Sequence, residues 1–165
     1  MTDSKRAIVG HDGSAYADNA LRWALDWASS VGGSVRVLRG WSMSTAPRPS
    51  TWQRGYVPPL SDFAEAVRER LEADTAAVRR EFPGVEVTFE AAHQAPANAV
   101  IEASAEADIV VVGSRGMGGF KGLVLGSVSD QVVRYAKCPV VVVRDAVPSA
   151  EAGRTHTLDS SFTDD

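Results

Sequence analysis

The sequence predicts a three-layer α/β fold, doubly wound, with a parallel five-stranded sheet and helices on both faces. Two observations carry this reading. Short apolar runs alternate four times with segments of helical period, and the runs are continuously apolar rather than alternating, as strands covered on both faces are. Crossovers between such strands are right-handed, and ligands bind outside the carboxyl ends of the strands, where the strand order reverses.

Each element follows from its own residues. Arg6 to Gly10 is a short apolar run stopped by His11-Asp12-Gly13-Ser14, which reads as a buried first strand. Ala17, Ala20, Leu21, Ala24, Leu25 and Ala28 recur at helical spacing, and Gly32-Gly33 ends that helix. Val35 to Trp41 reads as the second strand. The stretch 42–60, with Pro47, Pro49, Pro58 and Pro59, has no period. Ser61 opens a second helix whose stripe is Phe63, Val67, Leu71, Val78 and Phe82, closed by Pro83-Gly84. Val85 to Ala91 is a third strand. Pro96 suits the first turn of a third helix reaching about Ala107, because the N–H it lacks would be unpaired there anyway. Ile109 to Gly113, Ser127 to Ala136 and Pro139 to Val143 complete the series as strand, helix and strand.

Composition excludes several classes. With 165 residues, 44% hydrophobic and 23% charged, the chain is one ordinary globular domain. The single cysteine, Cys138, permits neither an internal disulfide nor a cysteine-rich metal cluster, and it reads as a small hydrophobe rather than a reactive thiol. Apolar runs such as Ile109–Val112 fall far short of the roughly 18 residues a membrane helix needs. The opening Met1-Thr-Asp-Ser-Lys-Arg does not resemble a signal peptide, so the expected location is the cytoplasm. Charge is placed unevenly. Asp145, Glu151, Asp159, Asp164 and Asp165 face only Arg154, whereas acids and bases balance over the preceding residues. A neutral body without a basic block argues against nucleic acid as a partner. We therefore expect a domain over 1–145 and an acidic, disordered tail over 146–165.

The chemistry concentrates between the fourth strand and the fourth helix. Gly113, Gly116, Gly118, Gly119, Gly122 and Gly126 make six of the 14 glycines, and Arg115 and Lys121 add positive charge. Glycines let a ligand approach main-chain N–H groups. The segment ends at Ser127, read as an N-cap with Asp130 three residues on, and a helix N-terminus suits a phosphate. The string is neither a P-loop nor the dinucleotide fingerprint, because the required Gly-Lys-Ser/Thr and Gly-x-Gly-x-x-Gly spacings are missing. Other candidates are weaker. His11, Asp12 and Ser14 have the residue types of a triad, but neighbours on a strand point to opposite faces. His93 and His156 lack metal-ligand spacing. Trp23 and Trp27 lie opposite the first helix's apolar stripe, facing either the long loop or a partner. Trp52 and Tyr56 belong either to a lid over the ligand or to a solvent-exposed insertion.

The spacing Gly113-x2-Gly116-x9-Gly126-Ser127, with Asp12-Gly13-Ser14 after the first strand and Cys138-Pro139-Val-Val-Val-Val143 at the end, resembles the nucleotide-binding members of the universal stress protein family. The resemblance implies a Rossmann-like sheet in order 3-2-1-4-5 that binds ATP, with Mg carried by its phosphates, between strands 1 and 4. It places Gly10, Asp12 and Ser14 at the end of the first strand, with Asp12 near adenine and ribose, and Gly40 against the adenine. It sets Gly113, Arg115, Gly116, Met117, Gly118 and Gly119 in the wrapping loop, and Gly126, Ser127, Val128 and Ser129 at the triphosphate. Two residues depart from the pattern. His11 replaces an aliphatic residue, which would alter adenine packing, and Gln94 replaces a glycine before the third helix. The implied order makes strand 139–143 an unprotected apolar edge, which together with the resemblance predicts a homodimer through that strand. The function expected is an ATP-binding stress-response module. The competing readings are a slow ATPase, a cyclic-AMP binder and a nucleotide-independent scaffold.

Overall fold

The computed structural model describes residues 4–117 and 125–144. Five strands, β1 (Arg6–Gly10), β2 (Ser34–Gly40), β3 (Glu86–Ala92), β4 (Ile109–Gly113) and β5 (Val140–Val143), form one sheet in the order β3-β2-β1-β4-β5. Every neighbouring pair is parallel. The connections are α1 (Ala15–Val31), α2 (Leu60–Arg79), α3 (Pro96–Ala103) with a 3₁₀ turn at Ser104–Glu106, and α4 (Ser127–Tyr135). The expected order and layering are those observed.

The period-two geometry of the strands divides the core. Ala7, Val9, Val35, Val37 and Val111 face α1 and α2, whereas Ile8, Leu38, Val110 and Val112 face α3 and α4. Burying each such aliphatic side chain contributes roughly 1.5–3 kcal/mol, so the valine-rich central strands hold both layers. The outer strand β3 departs from this pattern. Val87 and Phe89 pack against the α1/α2 layer while Glu86, Thr88 and Glu90 are exposed, because no helix covers its other face.

Local chemistry sets the helix ends. Ser14 Oγ accepts the Ala17 N–H at 3.2 Å to cap α1, and Gly32 closes it in the left-handed region at φ 66°. In α2 the gap between Leu71 and Val78 is filled by Thr75, fully buried because its hydroxyl donates to the Leu71 carbonyl at 2.8 Å. That helix ends at Arg79, so Phe82 packs from the following turn. α3 tightens into the 3₁₀ turn before Ala107, where Ser104 Oγ accepts the Lys137 N–H at 2.8 Å. Trp27 is half-buried against the α1/α2 core rather than the long loop, and Trp23 is exposed.

Ser127 is not the N-cap of α4. Gly126 holds that position at φ −70° and ψ 166°, and among the described residues no side chain caps the helix. The one-residue shift puts Ser127 inside the first turn, and Ser129 Oγ reaches back to the Gly126 and Ser114 carbonyls at 3.0 and 3.2 Å.

Among the described residues no helix is long and apolar enough to cross a membrane. Gly118, Gly119 and Lys121 of the glycine loop, and the tail over 146–165, lie outside the described residues.

One close approach tests the packing. A Cβ on Gly40 would lie 2.6 Å from Pro96 Cα and 2.8 Å from the Gln94 carbonyl oxygen, both backbone atoms, whereas a Cβ on Gly84 meets nothing within 4 Å. Gly40→Ala should therefore lower the stability measured by urea unfolding by roughly 1–3 kcal/mol, as overpacking does. Gly84→Ala should be neutral or slightly stabilising.

Candidate functional site

Because β1 pairs with β2 on one side and β4 on the other, the chain leaves β1 and β4 toward opposite faces, and a crevice opens at their carboxyl ends. Two loops border it, His11–Ser14 from β1 and the segment beginning at Ser114 from β4.

Asp12 joins them. Its Oδ1 accepts the Ser14 N–H at 3.0 Å, folding the turn on itself. Its Oδ2 accepts the Met117 N–H at 2.8 Å, across 105 positions of sequence. Partial desolvation opposes ionisation of Asp12, but the hydrogen bonds from Ser14 and Met117 outweigh it and hold the carboxyl below its ordinary value. The site therefore carries a fixed negative charge on the β1 side. Gly116 makes the bridge possible, since a Cβ there would fall 2.6 Å from Asp12 Oδ2.

The opposite wall is the start of α4. Gly126 N–H donates to the Ser114 carbonyl at 2.7 Å, which seats the helix on the end of β4. Among the described residues no side chain caps its first-turn N–H groups, and the positive end of the helix faces the same way. A Cβ on Gly126 would meet Arg115 Cα at 3.4 Å and Ser114 O at 3.6 Å, both ordinary contacts. No described neighbour forces glycine at this position.

Other predicted site residues have structural occupations. Gly10 is limited by Val100 Cγ2 at 3.0 Å, and Gly113 by the Tyr16 carbonyl oxygen at 2.9 Å. Together with Gly40 they let neighbouring chain segments approach and shape the crevice floor. The Ser14 hydroxyl is engaged in capping α1. Arg115 is half-buried, Met117 is 74% exposed, Ser127 is exposed, and Val128 packs into the α3/α4 layer.

His11 is a correction. Its side chain does not reach the crevice but turns under α1, fully buried, with Nε2 2.9 Å from Asp18 Oδ1. The strand alternation that aims Asp12 at Met117 aims His11 the other way, so it packs against helices and not against a base. The triad is excluded for the same reason. Sequence reasoning missed this network and the role of Ser114, whose buried carbonyl receives Gly126. The available signal was a histidine and an arginine, Arg39, placed in otherwise apolar strand ends.

The long loop is tied to α2. Thr51 Oγ1 donates to Asp62 Oδ2 at 2.6 Å, Trp52 meets Phe63 edge-on at 6.3 Å, and Tyr56 is exposed. These contacts fit the solvent-exposed insertion and place no lid over the crevice. Among the described residues no group of three or more His, Cys, Asp or Glu could hold a metal ion. Burial raises the Cys138 thiol above its ordinary value, in keeping with a packing role. A shallow cavity of about 540 Å³, lined by Arg79, Phe82, Pro83 and Val85 among others, lies at the opposite end of the sheet and has no part in the crevice.

Comparison with known proteins agrees with this geometry. Residues 4–144 match the model of the universal stress protein family. Universal stress protein Rv2623 of Mycobacterium tuberculosis is 36% identical over 141 residues, which are 85% of this chain and 45% of that protein. The chain thus spans about half the length of the curated relatives it matches. A universal stress protein of Archaeoglobus fulgidus in complex with dAMP superposes with a TM-score of 0.58 at 20% identity, covering 86% of this chain and 98% of that one. Another, in complex with cAMP, gives 0.55 at 22% identity, covering 88% and 100%. A family match running through every strand and helix, on a sheet of the expected order, is decisive: the chain belongs to the universal stress protein family.

Proposed function

We propose that this chain is a stress-response module that binds ATP, with Mg carried on the phosphates, in the crevice between β1 and β4, and that it acts in the cytoplasm. The observation that carries the reading is the facing pair of walls: the Asp12 carboxylate anchored on Met117 opposite a helix start with no side-chain cap. A carboxylate kept ionised suits ribose hydroxyls, which donate to it. Uncapped N–H groups and a dipole suit phosphates. In this reading Gly10, Asp12 and Gly40 line the nucleoside end. Met117 covers the middle, and Gly126, Ser127, Val128 and Ser129 receive the phosphates beside Arg115. The relatives solved with dAMP and cAMP support an adenine nucleotide as the ligand class. The cAMP complex also keeps a cyclic nucleotide as the second reading. Its single phosphate would use only part of the α4 start.

Binding rather than rapid turnover is expected. Hydrolysis needs a group that orients water at the phosphate; Asp12 is engaged at the nucleoside end by two hydrogen bonds, and Asp130 in the first turn of α4 is paired with Arg134.

The proposed partner is a second copy through β5. Val110 N–H donates to the Pro139 carbonyl and Ser114 N–H to that of Val143, so alternation turns Val141 inward and leaves the N–H and C=O groups of Val140 and Val142 facing outward. That outward row invites an antiparallel copy about a two-fold axis.

Three outcomes are expected. Gly126→Ala should keep the unfolding midpoint close to wild type and weaken ATP binding at least tenfold by calorimetry, about 1.4 kcal/mol. Unchanged affinity would remove the phosphate role of the α4 start. Any ATP turnover by purified protein should stay well below the roughly 1–100 per second typical of kinases. Val142→Pro removes an outward donor without touching the β4 ladder, so it should sediment as a folded monomer where the wild type sediments as a dimer.

A further inference from the structure

The buried network under the Asp12 turn has no part in the reading above. His11 is 3% exposed, and every group that meets its ring can be named. Its Nδ1 lies 3.1 Å from the Gly13 N–H and 3.3 Å from Arg39 Nη2. Both are obligate donors, so Nδ1 is the bare acceptor and Nε2 carries the proton, which it donates to Asp18 on α1 at 2.9 Å. Arg39 on β2 also donates through Nε to the His11 carbonyl at 2.9 Å and pairs through Nη1 with Asp74 on α2 at 2.9 Å. Asp74 in turn accepts from Arg70 at 3.1 Å. Asp12 is the remaining charge near the ring.

The residue clasped by His11 is the one at which the turn is least tolerant. Gly13 sits at φ +91°, between Asp12 and Ser14, whose own hydrogen bond closes the turn. We propose that neutral His11 is the positioning residue of the Asp12-Gly13-Ser14 turn, clamping the Gly13 N–H so that Asp12 is held for nucleotide, and that protonating the ring releases it. The inference rests on the nucleotide-binding reading. Protonation at Nδ1 would turn the acceptor into a donor facing two donors, one of them a guanidinium. Asp18 opposes this by favouring the imidazolium. Burial is the larger influence, and Arg39 adds to it, so the ring's pKa lies below the ordinary histidine value of about 6.5. A buried neutral histidine takes up its proton more readily in the unfolded chain. Stability is therefore intact at neutral pH and falls as pH drops below about 6.5, whereas nucleotide affinity falls only as pH drops through the lower pKa of the folded protein.

The test compares wild type with His11→Asn, whose side-chain oxygen replaces Nδ1 as acceptor and does not titrate there. ATP affinity is measured for both at each pH from 7 to 5, so that the nucleotide's own protonation cancels in the ratio. The variant should bind within about threefold of wild type at pH 7, and wild type should lose at least threefold more affinity than the variant by pH 5. Parallel profiles would overturn the proposal. A second measurement needs no variant to bind: nitrogen-15 spectra of the wild type should show His11 as the Nε2–H tautomer, with the Gly13 amide titrating together with the ring. An Nδ1–H tautomer, or a Gly13 amide indifferent to the ring, would also overturn it. If wild type binds no nucleotide at any pH, the binding reading fails by itself, and the joint titration still decides whether His11 holds the turn.

Discussion

The Asp12 carboxylate carries two hydrogen bonds whose donors come from different crossovers of the sheet. Ser14 belongs to the connection from β1 to α1, and Met117 to the connection from β4 to α4. β1 and β4 are adjacent only because the strand order reverses at β1. A single side chain thus converts a topological fact into a fixed distance between two loops. Gly116 lies under that bond without a side chain, and Gly126 seats the helix that forms the far wall. Exposed ion pairs such as Lys5–Asp108 contribute little to stability and do not border the crevice, whereas this bond joins its two loops.

The glycines of the family spacing divide into two physical kinds. At Gly113 a Cβ would come 2.9 Å from the Tyr16 carbonyl oxygen, so the folded backbone itself excludes a side chain, whereas at Gly116 it would come 2.6 Å from Asp12 Oδ2 and displace the bridging carboxylate. At Gly126 the described neighbours stand at 3.4 Å or more and φ is ordinary. There the described protein makes no such demand, so a substitution at this position tests the proposed phosphate role with little disturbance of the fold. Gly40 shows the converse: its place against the Pro96 turn accounts for the residue without any ligand.

Most of the architecture was legible because period and punctuation agreed along the chain. The Ala17 to Ala28 spacing, the Gly32 stop and Pro96 at a helix start each point to a single structure, and each is found. Legibility ended where neighbouring residues compete for one role. Ser127 reads as the N-cap of α4, but it is the Gly126 carbonyl that accepts the first helical bond, from the Asp130 N–H at 2.9 Å. Thr75 does not read as core, since its hydroxyl becomes compatible with burial only by bonding back along the helix. The direction of His11 is hidden for a similar reason. Strand alternation says that it opposes Asp12, but not which of the two helical layers contains an aspartate to receive it.

The two rims of the sheet are chemically unlike. β5 presents four consecutive valines and a row of backbone donors and acceptors that no described residue uses, whereas β3 alternates exposed Glu86, Thr88 and Glu90 with half-buried Val87 and Phe89. Glu90 is held by Arg36, so a charged rail runs along that side. A sheet with two adhesive rims would propagate into a fibre. If two chains join through β5 as proposed, only the charged rails are left at both ends, and growth would stop after one addition. The strand order would then set a limit on assembly size as well as the position of the crevice.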